Sequence, residues 1–361
     1  MATEQTQPTW AELLGSNEWN GLLDPLDLSL RKLILSRGDM SQATYDAFIN
    51  DPNSKYCGYE ASDYQIVSFL YATATIDDDF FDAFIIRPKC PAVPLQRQSN
   101  WMGYVAVTAD EVSKANGRCD IYVAWRGTVQ PIELKEDLHI KLVPATPLMS
   151  GSGRNDNYDG GEDDVAKVME GWLTICTQQP GLSISKNQRA NSSSIDHHKI
   201  DGSVQARKLP VHVQVAAFLF GCPMLGNQVF CDKLKALQNL RILHVKNKQD
   251  IIPDLPSIIF GYAYAGIEFV VDSAKSPFLN HSLDNIINLH NLQGRLHVVA
   301  GWNGKEGEFE LKVKRSLALV NKFSNFLKEK YQVPEYWWVE KNKGMVLDQD
   351  GDWVEARPQE D

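Results

Sequence analysis

The sequence predicts an α/β fold with a mainly parallel sheet flanked by helices. Three short apolar runs are typical of buried strands: CDIYVAW at residues 119–125, VHVQVAAFLF at residues 211–220, and the run from Leu240 to Val245. Long segments separate them, and parallel neighbours need such crossover connections, whereas antiparallel hairpins need only a short turn. With 361 residues, 43% of them hydrophobic, the chain can bury a core of its own.

Helices are predicted at both ends of the chain. An N-terminal helical arm is expected over residues 1–50, with Pro25 near a helix start, where its missing N–H costs little. Its apolar face is formed by Leu22, Leu26, Leu30 and Leu33. A C-terminal amphipathic helix is expected over residues 312–331 because apolar residues step by three and four from Val313 to Tyr331, and Pro334 lies just beyond.

Two polar stretches are predicted to be flexible loops. Residues 150–164, SGSGRNDNYDGGEDD, are rich in glycine and acidic residues, and residues 182–208 are similarly polar. Such segments cannot bury enough apolar surface to offset the entropy lost on ordering. The second loop lies between a predicted helix and a core strand, where a long connection indicates either a function or a lost element.

Charge and hydropathy exclude several classes of function. The net charge of −10 argues against nucleic acid as a partner, since such proteins cluster Lys and Arg to neutralise phosphates. No run reaches the roughly 18 apolar residues that span a bilayer, so at most peripheral membrane contact is expected. The polar start MATEQTQPTW lacks the features of a secretory signal, and six scattered cysteines suit reduced thiols. We therefore expect a cytoplasmic protein.

Several stretches resemble the plant class II phospholipase A1 enzymes, which are class 3 lipases of the α/β-hydrolase group. They follow in order through nearly the whole chain: WAELLGSNEWNGLLDPLDLSLRKLI, YVAWRGTVQP, AAFLFGCPMLGN, NKQDIIP, NLHNLQGRLHVVAG and LVNKFSNFLKEKYQVPEYWWVEKNKGMV. The resemblance implies a single lipase-like domain over residues 1–361 with an α/β-hydrolase-like fold. It also implies a Ser–Asp–His triad that releases the sn-1 fatty acid of phospholipid or another acyl-ester lipid, without a cofactor or a metal.

The resemblance assigns three residues of the site. Asp250, after the strand-like run ILHVKNKQ, corresponds to the triad acid, and His290 in NLHNLQGRLH corresponds to the general base. An imidazole suits that role because its ordinary pKa of about 6.5 is close to neutral pH. Thr128, directly after Gly127, corresponds to the oxyanion-hole residue. The residues alone favour a plain turn at Gly127 and a helix or turn cap at Asp250, so the assignments depend on the resemblance.

The nucleophile of the triad is missing from this sequence. Family members have G-H-S-L-G between a central strand and a helix, but no G-x-S-x-G occurs here. The chain passes from GWLTI at residues 171–175 through the polar stretch directly to Val211, so the central strand and the following helix are expected to be absent. A second departure is Cys222-Pro223-Met224, where family members have Ser-Pro-Arg.

The expected loss of the central strand affects the sheet. The strand ending at Trp125 and the strand ending at Phe220 lose their shared neighbour, and each unpaired buried backbone group costs about 1 to 3 kcal/mol. Our hypothesis is that these two strands pair directly, with a helix over residues 165–177 supplying the crossover.

Other serines and a metal ion are poor replacements for the nucleophile. Ser152, Ser203 and the serines at 192–194 do not follow an apolar strand, so they lack the positioning that catalysis needs. His281, His290 and His297 are nine and seven residues apart, unlike the i, i+4 pair of a helical zinc site. His197 and His198 lie in a polar loop.

Two functions from different classes are compatible with these residues. The first is phospholipase A1 activity, which requires a cryptic serine or an active parent of which this chain is a shortened version. The second is a non-catalytic relative that binds lipid or a protein partner, or the product of a defective gene. The sequence favours the second, because loss of the serine of such a triad lowers turnover on the order of a million-fold.

Overall fold

In the computed structural model of the protein, the chain forms two compact units. The structure describes residues 7–48, 63–72, 100–125, 127, 140–149, 164–177, 213–283, 285–338 and 341–356. The first unit contains Met1–Asp39, His212–Met224 and Cys231–Asp361, and the second contains Met40–Val211 and Leu225–Phe230. The single lipase-like domain expected over residues 1–361 stays a prediction.

The described residues contain eight α-helices and ten strands. The helices are α1 Trp10–Leu13, α2 Leu28–Phe48, α3 Asp110–Asn116, α4 Thr146–Met149, α5 Glu170–Thr177, α6 Gln228–Lys235, α7 Ile286–His290 and α8 Leu292–Gly301. The strands are β1 Tyr64–Ala72, β2 Asn100–Thr108, β3 Ile121–Trp125, β4 Leu142–Pro144, β5 Lys167–Met169, β6 Val215–Phe220, β7 Leu240–Asn247, β8 Ile267–Val271, β9 Met345–Leu347 and β10 Trp353–Glu355. Single turns of 3-10 helix join several of these elements.

A parallel sheet forms the centre of the first unit. Its strand order is β6-β7-β8, with Phe220 opposite Val245 and Val245 opposite Phe269. The predicted strands at residues 211–220 and 240–245 are therefore parallel neighbours, and the α/β class with a helix-flanked parallel sheet is confirmed. Leu243 and Val245 are completely buried, as the central strand of such a sheet requires.

The first half of α2 belongs to the core of this unit. Leu30 and Ile34 are fully buried and share one apolar cluster with Leu243 of β7 and Leu296 of α8. Pro25 precedes the helix, which begins at Leu28. The expected N-terminal arm over residues 1–50 is thus not a free appendage, because its apolar face is covered by the sheet and α8.

An antiparallel sheet of order β1-β2-β3 lies in the second unit. On β3, Ala124 is buried, whereas Ile121, Val123 and Trp125 are 70%, 52% and 51% exposed. The prediction of a buried strand at residues 119–125 is therefore wrong for one of its two faces. Within the described residues β3 pairs only with β2, and β6 pairs only with β7, so the hypothesis that β3 and β6 pair directly is also wrong.

The expected C-terminal helix over residues 312–331 is wrong. Only two 3-10 turns occur there, Leu317–Asn321 and Glu329–Tyr331. The backbone between them is bonded elsewhere: the Asn321 carboxamide oxygen accepts from the N–H groups of Phe326 and Leu327, and the Phe326 carbonyl accepts from Asn280 N–H. Tertiary hydrogen bonds replace the i to i−4 ladder that the apolar spacing predicted.

The predicted flexible loops lie outside the described residues, apart from Asp164. Among the helices that the structure describes, none is both long enough and apolar enough to cross a membrane.

Candidate active site

Asp250 lies at the carboxyl edge of the parallel sheet, just beyond the end of β7. Its N–H donates to the carbonyl of Asn247 at 3.0 Å, which forms the turn after the strand. Its side chain is completely buried, and Oδ1 accepts from the N–H of Ile252 at 3.1 Å. The carboxylate is thereby fixed with Oδ2 facing other partners, at the sheet edge where α/β proteins place their ligands.

His290 is the last residue of α7 and meets this carboxylate. The helix is capped by Asn285, whose Oδ1 accepts from Asn288 N–H at 2.9 Å. Asn247, at the end of β7, donates from Nδ2 to the carbonyl of Leu289 at 3.2 Å and so holds the helix end against the strand end. His290 Nδ1 lies 2.8 Å from Asp250 Oδ2. The structure thus brings together the acid and the base predicted from sequence.

The geometry of this pair suits general-base chemistry. An ionised carboxylate only accepts hydrogen bonds, so the contact assigns the proton to Nδ1 of His290. The lone pair is then on Nε2, the atom that removes the proton from a nucleophile in a hydrolase triad. The His290 side chain is 20% exposed and that of Asp250 is not exposed at all, so only the imidazole reaches solvent.

Arg295 is a residue of this site that sequence reasoning missed. It lies on α8, its side chain is 1% exposed, and Nη2 donates to Asp250 Oδ2 at 2.6 Å. A Cβ placed on Gly221, the residue after β6, would come within 2.4 Å of the guanidinium, so the glycine leaves the space that Arg295 fills. The signal was present in the sequence: Arg295 directly precedes the apolar run LHVVAG, and a charged side chain in such a buried segment needs a buried partner.

Two further side chains, one on β7 and one just after β6, have shifted pKa values. Burial, followed by the charges of Lys246 and Arg295, lowers the pKa of His244 to about 4, so this imidazole is neutral at pH 7. Burial raises the pKa of the Cys222 thiol to about 12. The thiolate is the nucleophilic form of cysteine, so this shift disfavours Cys222 as a nucleophile.

The other candidate residues from the sequence do not contact Asp250 or His290, or lie outside the described residues. His297, expected to be a packed or surface residue, is buried, with Nε2 2.9 Å from the hydroxyl of Ser276. Thr128, the expected oxyanion-hole residue, lies outside the described residues, as do Ser152, Ser203 and the serines at 192–194. In the part of the chain that is described, no three His, Cys, Asp or Glu side chains are grouped as metal ligands.

Comparison with known proteins gives one family. Residues 200–260 match the family described as Lipase (class 3). The chain is 42% identical to phospholipase A1-IIdelta of Arabidopsis thaliana, an alignment that covers 100% of this chain and 99% of the relative. It is 39% identical to phospholipase A1-II 5 of Oryza sativa subsp. japonica, over 98% of this chain and 83% of that protein.

Similarity to solved structures is weaker. A lipase from Rhizopus microsporus var. chinensis is 17% identical, with a TM-score of 0.39 over 70% of this chain and 78% of that one. The identities to the plant relatives, of which the alignments cover 99% and 83%, are the finding that decides the family. The chain belongs to the plant class II phospholipase A1 family of class 3 lipases.

Proposed function

We propose that this protein binds phospholipid or a related acyl-ester lipid but does not form an acyl-enzyme. The observation that carries the proposal is an acid–base pair without a serine nucleophile. Asp250 Oδ2 lies 2.8 Å from His290 Nδ1, in a chain that has no G-x-S-x-G. In a family of lipid acylhydrolases, Asp250 is the triad acid, His290 the general base and Thr128 the residue of the oxyanion hole.

Acyl transfer needs all three members of the triad. The base removes a proton from the serine, the serine oxygen attacks the ester carbonyl, and the resulting acyl-enzyme is hydrolysed by water. Without the serine the base has no alcohol to activate. The loss amounts to about a million-fold in turnover, and only weak hydrolysis by directly activated water is left.

The length of the alignment supports a missing segment. It runs over 413 positions and includes all 361 residues of this chain, a difference of 52. At least that number of positions of the Arabidopsis relative have no counterpart here. A strand, a nucleophile elbow and a helix fit comfortably within that length.

A serine-reactive fluorophosphonate probe tests the proposal. We expect no labelling of the purified protein and no fatty acid release from phosphatidylcholine, whereas the Arabidopsis phospholipase A1-IIdelta, treated in parallel, should be labelled. Labelling that disappears on heat denaturation would overturn the proposal. Single serine-to-alanine variants at 152, 192, 193, 194 and 203 would then locate the reactive residue.

An active enzyme from the same gene is the second candidate, because the Asp250 and His290 contact is intact. Sequencing of the transcript across the codons for residues 177–211 tests it. An in-frame segment that encodes G-H-S-L-G would make the enzyme the main product, and a continuous reading frame without that segment would exclude it.

We also propose that the protein works in the cytosol. Cys119, Cys222 and Cys231 are free thiols in the described part of the chain, as is usual where thiols stay reduced. A fluorescent fusion expressed in plant cells should fill the cytosol. Fluorescence confined to the secretory pathway or to an organelle would contradict this location.

A further inference from the structure

An exposed apolar turn follows the triad acid along the chain. The 3-10 turn Ile258–Phe260, here named the apolar tip, presents three large apolar side chains that are 66%, 90% and 61% exposed. Ile251, which directly follows Asp250, is 58% exposed. Scattered exposed apolar residues are ordinary, but three consecutive ones on a defined turn that closely follows Asp250 in the sequence indicate an interaction surface.

The tip is held in this exposed form by its own backbone. Ser257 caps the turn by accepting from Ile259 N–H at 3.3 Å, and Gly261, with φ +83°, closes it by donating to the Ile258 carbonyl at 2.9 Å. Ser257 has φ +141°, which non-glycine residues rarely adopt. None of these bonds uses an apolar side chain, so the three side chains are available to a partner.

Neighbouring contacts anchor the tip to the sheet edge that holds the site. The carbonyl of Leu255 accepts from Met224 N–H at 2.8 Å, which ties the segment to the chain just after β6. Tyr262 on the other side is 2% exposed. The segments on both sides of the tip are therefore held in place, by the Leu255 hydrogen bond on one side and by the buried Tyr262 on the other.

The charge pattern identifies the partner. Residues 255–267 contain no charged side chain, and the chain has a net charge of −10. A strongly anionic surface would repel this protein, and no Lys or Arg at the tip favours one. Aliphatic and aromatic side chains without charge are suited to the boundary between head groups and acyl chains of a neutral lipid surface.

We propose that the apolar tip inserts into a zwitterionic phospholipid surface and so brings the site of Asp250 and His290 to its ligand. The inference rests on the proposed function, because it takes acyl-ester lipid as the ligand of that site. Ile251 adds a further exposed apolar side chain directly beside the acid in the sequence. The insertion needs no acyl transfer, since burial of apolar surface drives it.

Vesicle co-sedimentation of the full chain tests the inference. We expect binding to phosphatidylcholine vesicles that falls at least about tenfold in the double variant Ile259→Asp, Phe260→Asp, because insertion would then bury two charges. The matched control is Leu237→Asp, a 47% exposed residue just after α6 in the same unit, which should bind like the parent. Added phosphatidylserine should not strengthen binding. Equal binding by the parent and the tip variant, or no binding by the parent, would overturn the inference.

A second variant tests insertion without added charge, in case the double aspartate variant fails to fold. Phe260→Trp keeps the tip apolar. Because the chain has nine other tryptophans, the readout is the difference between variant and parent spectra, which should shift to shorter wavelength when phosphatidylcholine vesicles are added; no shift would count against insertion.

Gel filtration tests whether the tip instead binds a second copy of the chain. If the parent is a dimer and the charged variant is a monomer, the tip is a dimer contact and the inference is wrong. If the tip variant binds vesicles like the parent, the inference fails alone. If the parent does not bind at all, the lipid binding of the proposed function fails with it, whereas fluorophosphonate labelling tests the absence of an acyl-enzyme separately.

Discussion

Arg295 and His290 share one oxygen of the same carboxylate: Nη2 of the arginine and Nδ1 of the histidine lie 2.6 and 2.8 Å from Oδ2 of Asp250. The arginine is buried and the histidine is the exposed member of the three. The guanidinium therefore compensates the charge of a carboxylate that has no access to water. It also holds Oδ2 within hydrogen-bond distance of His290 Nδ1, so the three side chains form one structural unit.

Arg295→Met is expected to destabilise the protein by about 3–5 kcal/mol, because it leaves the Asp250 carboxylate buried without its main positive partner. Urea unfolding followed by tryptophan fluorescence measures the effect. Lys312→Met is the matched control: its partner Glu310 is 67% exposed, and such surface pairs contribute less than about 1 kcal/mol. The double variant Arg295→Met, Asp250→Asn should be more stable than Arg295→Met alone; equal stabilities would contradict the proposed charge compensation.

Gly221→Ala should be more destabilising than the same change at Gly117. Both glycines have similar left-handed backbones, with φ +67° and +65°, so both substitutions incur the strain of roughly 1–2 kcal/mol for an alanine in that region. Only at Gly221 does a Cβ meet another group, the Arg295 guanidinium, whereas Gly117 has nothing within 4 Å. Thermal unfolding of the two variants separates backbone strain from steric exclusion. Equal losses of stability would show that the Arg295 side chain moves aside at little cost.

Sequence patterns predicted the central parts of the site better than the edges of the fold. The parallel strands follow from apolar runs, whereas the pairing of Asp250 with His290 is expected only from the family resemblance of the segments that contain them. The C-terminal segment shows where such reasoning fails: its three- and four-residue spacing is real, but Asn321 and Asn280 bind the backbone that a helix would have used. A spacing pattern carries no information about such side-chain and long-range backbone partners.

Acidification should destabilise the protein through His297. Burial, and then the charge of Arg315, lowers the pKa of this histidine to about 3 from its ordinary 6.5. Between these values the unfolded chain binds a proton that the folded chain does not, so the free energy of unfolding falls with pH below 6.5 by about 1.4 kcal/mol per unit from this group. His297→Gln should reduce the slope by about half a proton at pH 6.5 and by nearly one proton at pH 5. An unchanged slope would mean that other groups set the acid limit.

Val123→Lys is expected to reduce aggregation with little change in stability. Val123 is 52% exposed on β3, an edge strand in the described part of the second unit, and it lies between the exposed Ile121 and Trp125. A strand with one unpaired edge and an apolar exposed face invites pairing between molecules, and a lysine at such an edge opposes it. Light scattering during incubation at about 37 °C measures the effect, with Val354→Lys on β10, 39% exposed, as the control. If β3 is the contact that drives association, only Val123→Lys slows the scattering; equal slowing by both variants would point to net charge instead.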